Sequence, residues 1–593
     1  LQTTASPRPG TVLMPTLQCL GARGRAAVQK EMARTRQGKL PAPGSRARLC
    51  CWAGRSQLIG MMAWNCGFLS TAGTAFHLQT TASPRLWKLP RACRSFSSVK
   101  CSGERGMDKS IAQTELEGFY WQGGDTMKIS RTLHTQNRRK VLEHMKKQGA
   151  NEGIIVLEGG RDINRADTDH TLLFRQESNF HYLFGVGFPD CFGTIDISSG
   201  RSSLFVPRQP ESYSVWMGSP PSLEDLKSIY CVDEVLYTSE LPDHVSSARP
   251  STIYTYGGQN SDSGNEGKPA NFEGIDRFPK DDKKLHHALY ESRVFKTETE
   301  IEVIKYANKI SSLAHIEVMK HCKPGMYEYQ LESIFQHHCY FHGGMRNLAY
   351  TGICASGKNA AILHYGHAGA PNNRRLEEGD VVLNDLGAEY YCYASDITCS
   401  FPVSGKFTKE QQKIYEAVLD AKDSVVARAK PGVSWVEMHE LTERIIAKHL
   451  LEIGVLKGDL EDIVKAEIPA VFMPHGLGHN LGLETHDVGG YPPGSLRASR
   501  PGLRSLRNVR RLQPGMVLTV EPGCYFIRSE LEKALNDPIK SRHIVSDEVE
   551  KYMDFGGIRL EDNIVITQDG VDNLTNVPRR ITELQDVVGS AYR

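Results

Sequence analysis

Apolar positions in this chain follow two rhythms that alternate from about residue 127 to the end. Arg138 to Gly149 (RRKVLEHMKKQG) sets its apolar residues at helical intervals and stops on glycine, which predicts a helix. GIIVLEGG, Phe180 to Gly185, GTIDIS and SSLFVP are short apolar runs between turn residues and predict strands. Together they read as a small α/β domain over 127–284, about 150 residues, an ordinary size for one folded unit. Inside it, Tyr254 to Lys268 (YTYGGQNSDSGNEGK) is polar and glycine-rich and predicts a loop.

A second domain opens near Leu285 and occupies 285–593. Thr297-x-x-Glu300 spells a capping box. Behind it Val303, Ala307, Ile310, Ala314 and Val318 share one helical face. That helix stops at Lys323-Pro324-Gly325, and another follows. The arrangement recurs: Thr408-x-x-Gln411 caps a helix with Ile414, Val418, Ala421 and Val425 on one face, stopped by Lys430-Pro431-Gly432. Two helix–KPG–helix units, each leading into strand-like sequence, predict a pseudo-symmetric domain of two related halves. The expected fold class is therefore α/β, of the α+β kind.

The first 126 residues share neither rhythm. Leu1 to Cys101 holds 15 Lys and Arg against Glu31 alone, a local charge of +14 that leaves the rest of the chain at −12 within a net +2. The octapeptide LQTTASPR occurs twice, at Leu1 to Arg8 and at Leu78 to Arg85. An Arg- and Ser-rich, acid-poor head resembles an organelle transit peptide; the repeat fits untranslated or mis-spliced sequence as well. Both readings stand at this point. A mildly acidic body gives no reason to expect nucleic acid. No apolar run reaches the roughly 18 residues of a membrane span. Of the 14 cysteines, six lie in the head and the rest are scattered without CxxC pairs. This reads as a reduced intracellular chain with no membrane partner. The expected compartment is the cytoplasm, or a mitochondrion or plastid if the head is a genuine transit peptide.

Four segments of the second domain carry acids and histidines in apolar surroundings. In the first, Val381, Leu383 and Asp385 alternate onto one strand face, and Asp396 follows eleven residues later in an Ile-Thr strand, so a hairpin would bring the two acids together. A carboxylate on the core side of a strand is costly unless something positive pairs with it, and a divalent metal would serve both. A strand-end Asp capping a turn is the simpler alternative. The second segment, PHGLGH followed by His486-Asp487, sets His475, His479 and His486 among glycines, suited to a loop that closes on a ligand. The third, Val517 to Glu521, is a β-rich strand ending on an acid before Pro522-Gly523. The fourth, Gly557 to Val565, reads as a strand with Glu561 in its middle. Any one of these could be a satisfied core polar group; four together point to a metal site.

In order and spacing, Asp385, Asp396, His479, Glu521 and Glu561 resemble the five metal ligands of the pita-bread metallopeptidases. Within that family, LFRQESNFHYLFGV, LHYGHAGAPN, YYCYASDITCSFP, PHGLGHNLG, HDVGGYP and PGLRSLR are similar to the Xaa-Pro dipeptidases. The resemblance runs from about Met127 to the end and leaves the head uncovered. It implies that a small N-terminal α/β domain precedes a pita-bread catalytic domain. It also implies two divalent ions, bridged by Asp396 and Glu561, with Asp385 completing one and His479 and Glu521 the other. Two such ions sit about 3.5–4 Å apart and lower the pKa of a shared water, which attacks as hydroxide. Carboxylates with a single imidazole suit Mn²⁺.

The same resemblance makes Glu521 the proton shuttle and sets His364, His475 and His486 around the substrate. It puts Tyr350 and Arg559 beside the metals, with Arg559 orienting acids, and gives Arg507 the substrate carboxylate to bind as a fork. The expected activity is hydrolysis of Xaa-Pro dipeptides with release of proline, whose imide nitrogen carries no N–H in the substrate. An Xaa-Pro aminopeptidase acting on longer peptides shares all five ligands and is the alternative. A binding module without catalysis is the other, although such domains typically lack part of the ligand set. A homodimer is implied, with the loop of Trp216 (SVWMG) approaching the partner's site.

Overall fold

The N-terminal apolar runs pair into a mixed six-stranded sheet, in the order Glu234–Tyr237, Ser202–Val206, Phe192–Asp196, Ile154–Glu158, Ile253–Thr255, Lys280–Asp281. Its centre is antiparallel and its outer pairs are parallel. The computed structural model describes residues 118–366 and 372–593, within one compact unit, Gly103–Arg593. The repeat, the basic head and the transit-peptide reading lie outside the described residues. The first strand among the described residues, Phe119–Tyr120, pairs with Ile129–Ser130 across the expected domain start at Met127. Leu285, the expected opening of the second domain, falls inside the helix Lys283–Val294.

One element differs from its expectation. Phe180 to Gly185 reads as a strand, but Ser178–Phe184 is a helix. A short, mostly apolar run, broken by one histidine, His181, has too little periodicity to separate strand from helix. What decides are its ends. The Glu177 side chain accepts from Phe180 N–H, and Gly185 terminates the helix at φ +66°, a left-handed conformation glycine adopts without strain.

Both capping boxes form as the sequence predicts. Thr297 accepts from Glu300 N–H and opens the helix Glu298–His321; Thr408 accepts from Gln411 N–H and opens Lys409–Arg428. Each packs against the helix that follows its KPG turn, Glu328–Gly343 and Trp435–Glu452. The inward stripe of Val303, Ala307, Ile310, Ala314 and Val318 is buried. The Val and Ile side chains contribute about 1.5–3 kcal/mol each relative to exposure.

Each helix pair is followed by a three-stranded antiparallel sheet. The first is Ile353–Ser356, Val381–Asp385, Thr398–Pro402; the second is Val517–Val520, Asp562–Ile566, Val571–Asn573. This repetition is the pseudo-symmetry the KPG pattern predicts. A two-stranded ribbon, Gly523–Tyr525 with Gly557–Arg559, accompanies them. Among the described residues no helix is long and apolar enough to cross a membrane.

Candidate active site

Register brings the first two acids together. Asp385 ends its strand opposite Thr398, and Asp396 precedes Thr398 by two residues, so the hairpin carries both carboxylates to one end of the sheet. Between them the chain detours through a separate small sheet, and Asp396 lies just before its strand rather than within it. Its backbone is clamped from both sides by one amide: Asp396 N–H donates to Asn563 Oδ1 at 2.9 Å, and Asn563 Nδ2 donates to Asp396 C=O. Glu561 also departs from its expected place, falling in the break between Gly557–Arg559 and Asp562–Ile566. There the strand leaves one ladder for another, and its carboxylate turns to accept from Thr398 Oγ1 at 2.6 Å.

The PHGLGH loop lies against the Val517–Val520 strand. A Cβ on Gly478 would stand 2.1 Å from Thr519 O, so only glycine allows this approach. Buried Trp435 fixes the loop by donating from Nε1 to Gly478 O at 3.2 Å. His479 N–H donates to Thr519 Oγ1, and its Nδ1 lies 3.0 Å from Asn480 O. A carbonyl can only accept, so Nδ1 carries the proton and Nε2 faces the acids. Nε2 is 3.5 Å from Asp396 Oδ2 and 3.4 Å from Glu521 Oε1. An imidazole held by its far nitrogen with the other aimed at carboxylates is how metal-binding histidines are oriented.

Asp396, His479 and Glu561 can present ligand atoms within 4.8 Å of one another, all buried. Asp385 and Glu521 line the same cavity. Burial, together with the charges of the neighbouring acids, pushes the Asp385, Glu521 and Glu561 carboxyls above their ordinary range. Burial acts on Asp396 in the same sense, but hydrogen bonding and charge from His479 outweigh it and hold Asp396 below that range. For His479, burial opposes the charged form, and contact with Asp396 and Glu521 overcomes it. Three buried carboxylates and the partly buried Glu521, with one imidazole, lack enough positive charge, and hard divalent cations fit such a donor set.

A hydrogen-bonded chain backs the acids. Arg559 donates to Asp385 Oδ2 at 2.5 Å, to Thr398 Oγ1 at 3.1 Å and to Tyr525 Oη at 2.9 Å. Tyr350 Oη donates to Asp385 Oδ1 at 2.6 Å. With its oxygen accepting from Arg559, Tyr525 donates onward to His475 Nε2 at 3.0 Å, and His475 Nδ1 donates to Gly476 O at 2.7 Å. Both His475 nitrogens are thus engaged, which leaves it no N–H for a substrate. Burial, reinforced by Arg559, lowers His475 to about 3; burial, with His479 and Arg507, lowers His486 to about 2. Both rings are neutral at physiological pH.

One cavity of about 380 Å³ is lined by Tyr350, His364, Asp385, Asp396, His475, His479, His486, Arg507, Glu521, Arg559 and Glu561, so every residue singled out in the sequence meets there. Sequence reasoning passed over Thr398, Tyr525 and Asn563, which hold these groups. None carries a signal in a single sequence, because a hydroxyl or amide on a strand is ordinary.

A pseudo-symmetric fold with a carboxylate–imidazole cluster between its halves defines the class: a pita-bread metallohydrolase. Two family models match the chain: "Metallopeptidase family M24" over residues 302–568 and "Aminopeptidase P, N-terminal domain" over 134–254. The chain is 50% identical to the Xaa-Pro dipeptidase of Homo sapiens over 468 residues, 79% of this chain and 95% of that protein. It is 39% identical to a probable Xaa-Pro aminopeptidase of Sclerotinia sclerotiorum, over 82% of this chain and 85% of that one. A solved structure of zinc-substituted aminopeptidase P from E. coli with product superposes with a TM-score of 0.64 at 30% identity, covering 78% of this chain and 99% of that one. The chain belongs to metallopeptidase family M24.

Proposed function

We propose that this chain hydrolyses Xaa-Pro dipeptides and releases proline, using two divalent ions, Mn²⁺ by preference. The observation that carries this reading is one cavity lined both by the acid–imidazole cluster and by Arg507. Of the two guanidiniums lining it among the described residues, Arg559 is buried and spent on Asp385 and Tyr525. Arg507 lies 3.6 Å from its nearest carboxylate, Asp262, beyond hydrogen-bond length. It therefore keeps N–H groups to offer a dipeptide's C-terminal carboxylate, which a longer peptide does not have at proline.

When bound, the ions supply Lewis acidity, acidifying water and polarising the scissile carbonyl. Asp385, Asp396, His479, Glu521 and Glu561 would hold them. Glu521, whose carboxyl burial pushes upward, takes a proton from the attacking water and delivers it to the proline nitrogen as the C–N bond breaks. Tyr350 and Arg559 hold Asp385 through hydrogen bonds to separate oxygens. His364 and neutral His486 face the bound peptide, while His475 acts through Tyr525 on Arg559.

The reading includes a homodimer: the helix Tyr213–Met217 exposes Val215, Trp216 and Met217. It also includes a reducing compartment such as the cytoplasm, consistent with eight free cysteines among the described residues. The test is metal content measured alongside hydrolysis of Gly-Pro, Gly-Pro-amide and a Gly-Pro-X tripeptide. Two ions per chain and preference for Gly-Pro are expected; preference for the tripeptide would make the enzyme an aminopeptidase.

A further inference from the structure

Arg507 has a neighbour from far away in the chain. The glycine-rich loop after the Ile253–Thr255 strand reaches across to the insert between Tyr491 and Arg507. It is held in shape locally: Asn260 Oδ1 accepts from Asp262 N–H at 2.9 Å, and Asn260 N–H donates to Asn265 O at 2.9 Å. This sets the Asp262 carboxylate between two guanidiniums. Oδ1 accepts from Arg497 Nη2 at 2.9 Å, and Oδ2 faces Arg507 Nη1 at 3.6 Å. Arg497 also donates to Leu506 O, immediately before Arg507, and lies over the Tyr491 ring. Tyr491 Oη donates to the same carbonyl at 2.7 Å.

We propose that Asp262 is a positioning residue for substrate selection, by which the N-terminal sheet orients Arg507 toward the dipeptide's carboxylate. This rests on the reading of Arg507 given above. An arginine side chain that is 31% exposed has many rotamers to lose, and a fixed anion beside it removes that cost before substrate arrives. Because the contact exceeds hydrogen-bond length, it orients the fork without consuming it. Arg497, Asp262 and Arg507 together carry one net positive charge, matched to one incoming carboxylate. A second cavity of about 550 Å³ is lined by Asp262 and shares Thr485, His486 and Arg507 with the first. The pair therefore stands where the two cavities meet.

The test is steady-state kinetics of the full-length, metal-loaded enzyme on Gly-Pro and Gly-Pro-amide. Asp262→Asn is expected to raise KM for Gly-Pro roughly two- to fivefold, the range of a partly exposed ion pair, with a smaller change in kcat and little change on the amide. Asp262→Glu restores part of the loss, and the effect shrinks at high salt. In an Arg507→Ala background, Asp262→Asn adds nothing further. Arg497→Gln, which releases Asp262 without altering it, moves KM in the same direction and serves if Asp262→Asn fails to fold. An unchanged or lower KM in either variant, or an undiminished effect in the Arg507→Ala background, overturns the proposal. If Arg507→Ala itself leaves KM for Gly-Pro unchanged, the reading of Arg507 fails instead.

Discussion

The two ends of the cavity are built on opposite plans. At the metal end the acids stand on or beside paired strands, and side chains such as Asp396 and His479 are 7% and 4% exposed. Each is held by a buried neighbour, Asp396 by Asn563 and His479 by Thr519. At the end proposed to select the substrate, Arg507 is 31% exposed, sits on an irregular insert and faces an anion on the loop after Ile253–Thr255. The difference follows from the chemistry. Ligands of hard cations must converge within a few tenths of an ångström, which strands and buried hydrogen bonds provide. Recognising a carboxylate needs direction more than depth, and loops held by a rigid scaffold supply that.

The largest expected effect breaks the metal end. Asp396→Asn removes a charge from the Asp396–His479–Glu561 cluster and, on the proposed function, should cost most of the bound metal and several orders of magnitude in activity. Metal analysis with Gly-Pro turnover checks this; two retained ions with near-normal turnover would show that the cluster is not the centre. At the selecting end the effect is smaller. Arg507→Ala should lower kcat/KM for Gly-Pro about tenfold to a hundredfold, as expected for charged hydrogen bonds. The loss on Gly-Pro-amide should be far less. Equal losses on both substrates would make Arg507 part of the scaffold and erase the contrast between the ends.

Removing the metal sharpens the comparison further. Asp385, Glu521 and Glu561 are raised by burial and by each other, so the metal-free folded state binds protons more tightly than the unfolded chain. A raised carboxyl contributes stability that is present at low pH and lost as pH rises through its folded pKa. Neutral buried histidines such as His315, lowered to about 4, act in the opposite sense until pH is about one unit past the unfolded value of roughly 6.5. Between pH 7.5 and 9 the metal-free Tm should therefore fall, by roughly 2–4 °C for each kcal/mol lost. The metal-loaded Tm should stay nearly flat, and parallel curves would contradict the cluster's charge balance.

The smallest effect is expected far from both ends. A chain starting at Met107 should match the full length in Gly-Pro activity. A start at Met127 also removes Tyr120, whose ring stacks on Tyr391 at 4.2 Å. That should cost about 1 kcal/mol of stability and leave turnover intact, as scanning calorimetry and an activity assay would show. A soluble, metal-loaded but inactive Met127 start would give the N-terminal segment a part in catalysis.

The metal end was legible because its residues break the pattern around them: Asp385, Glu521 and Glu561 are acids in strands that otherwise read as core. The helix pairs were legible from their capping boxes and KPG turns. Phe180 to Gly185 reads wrongly as a strand because so short a run, with His181 its one strongly polar residue, sets no clear period. The detour before Asp396 and the strand break at Glu561 were missed because ladder changes depend on which strands pair, and pairing is a tertiary matter.

The sequence by itself determined which acids and histidines stand in apolar surroundings, their order and the two-halved frame, since these follow from residue type and local periodicity. Only the tertiary structure decided that Tyr525 links His475 to Arg559, and that Asp262 meets Arg497 across 235 residues. Those contacts join irregular segments, where no spacing along the chain records which side chain will lie opposite which.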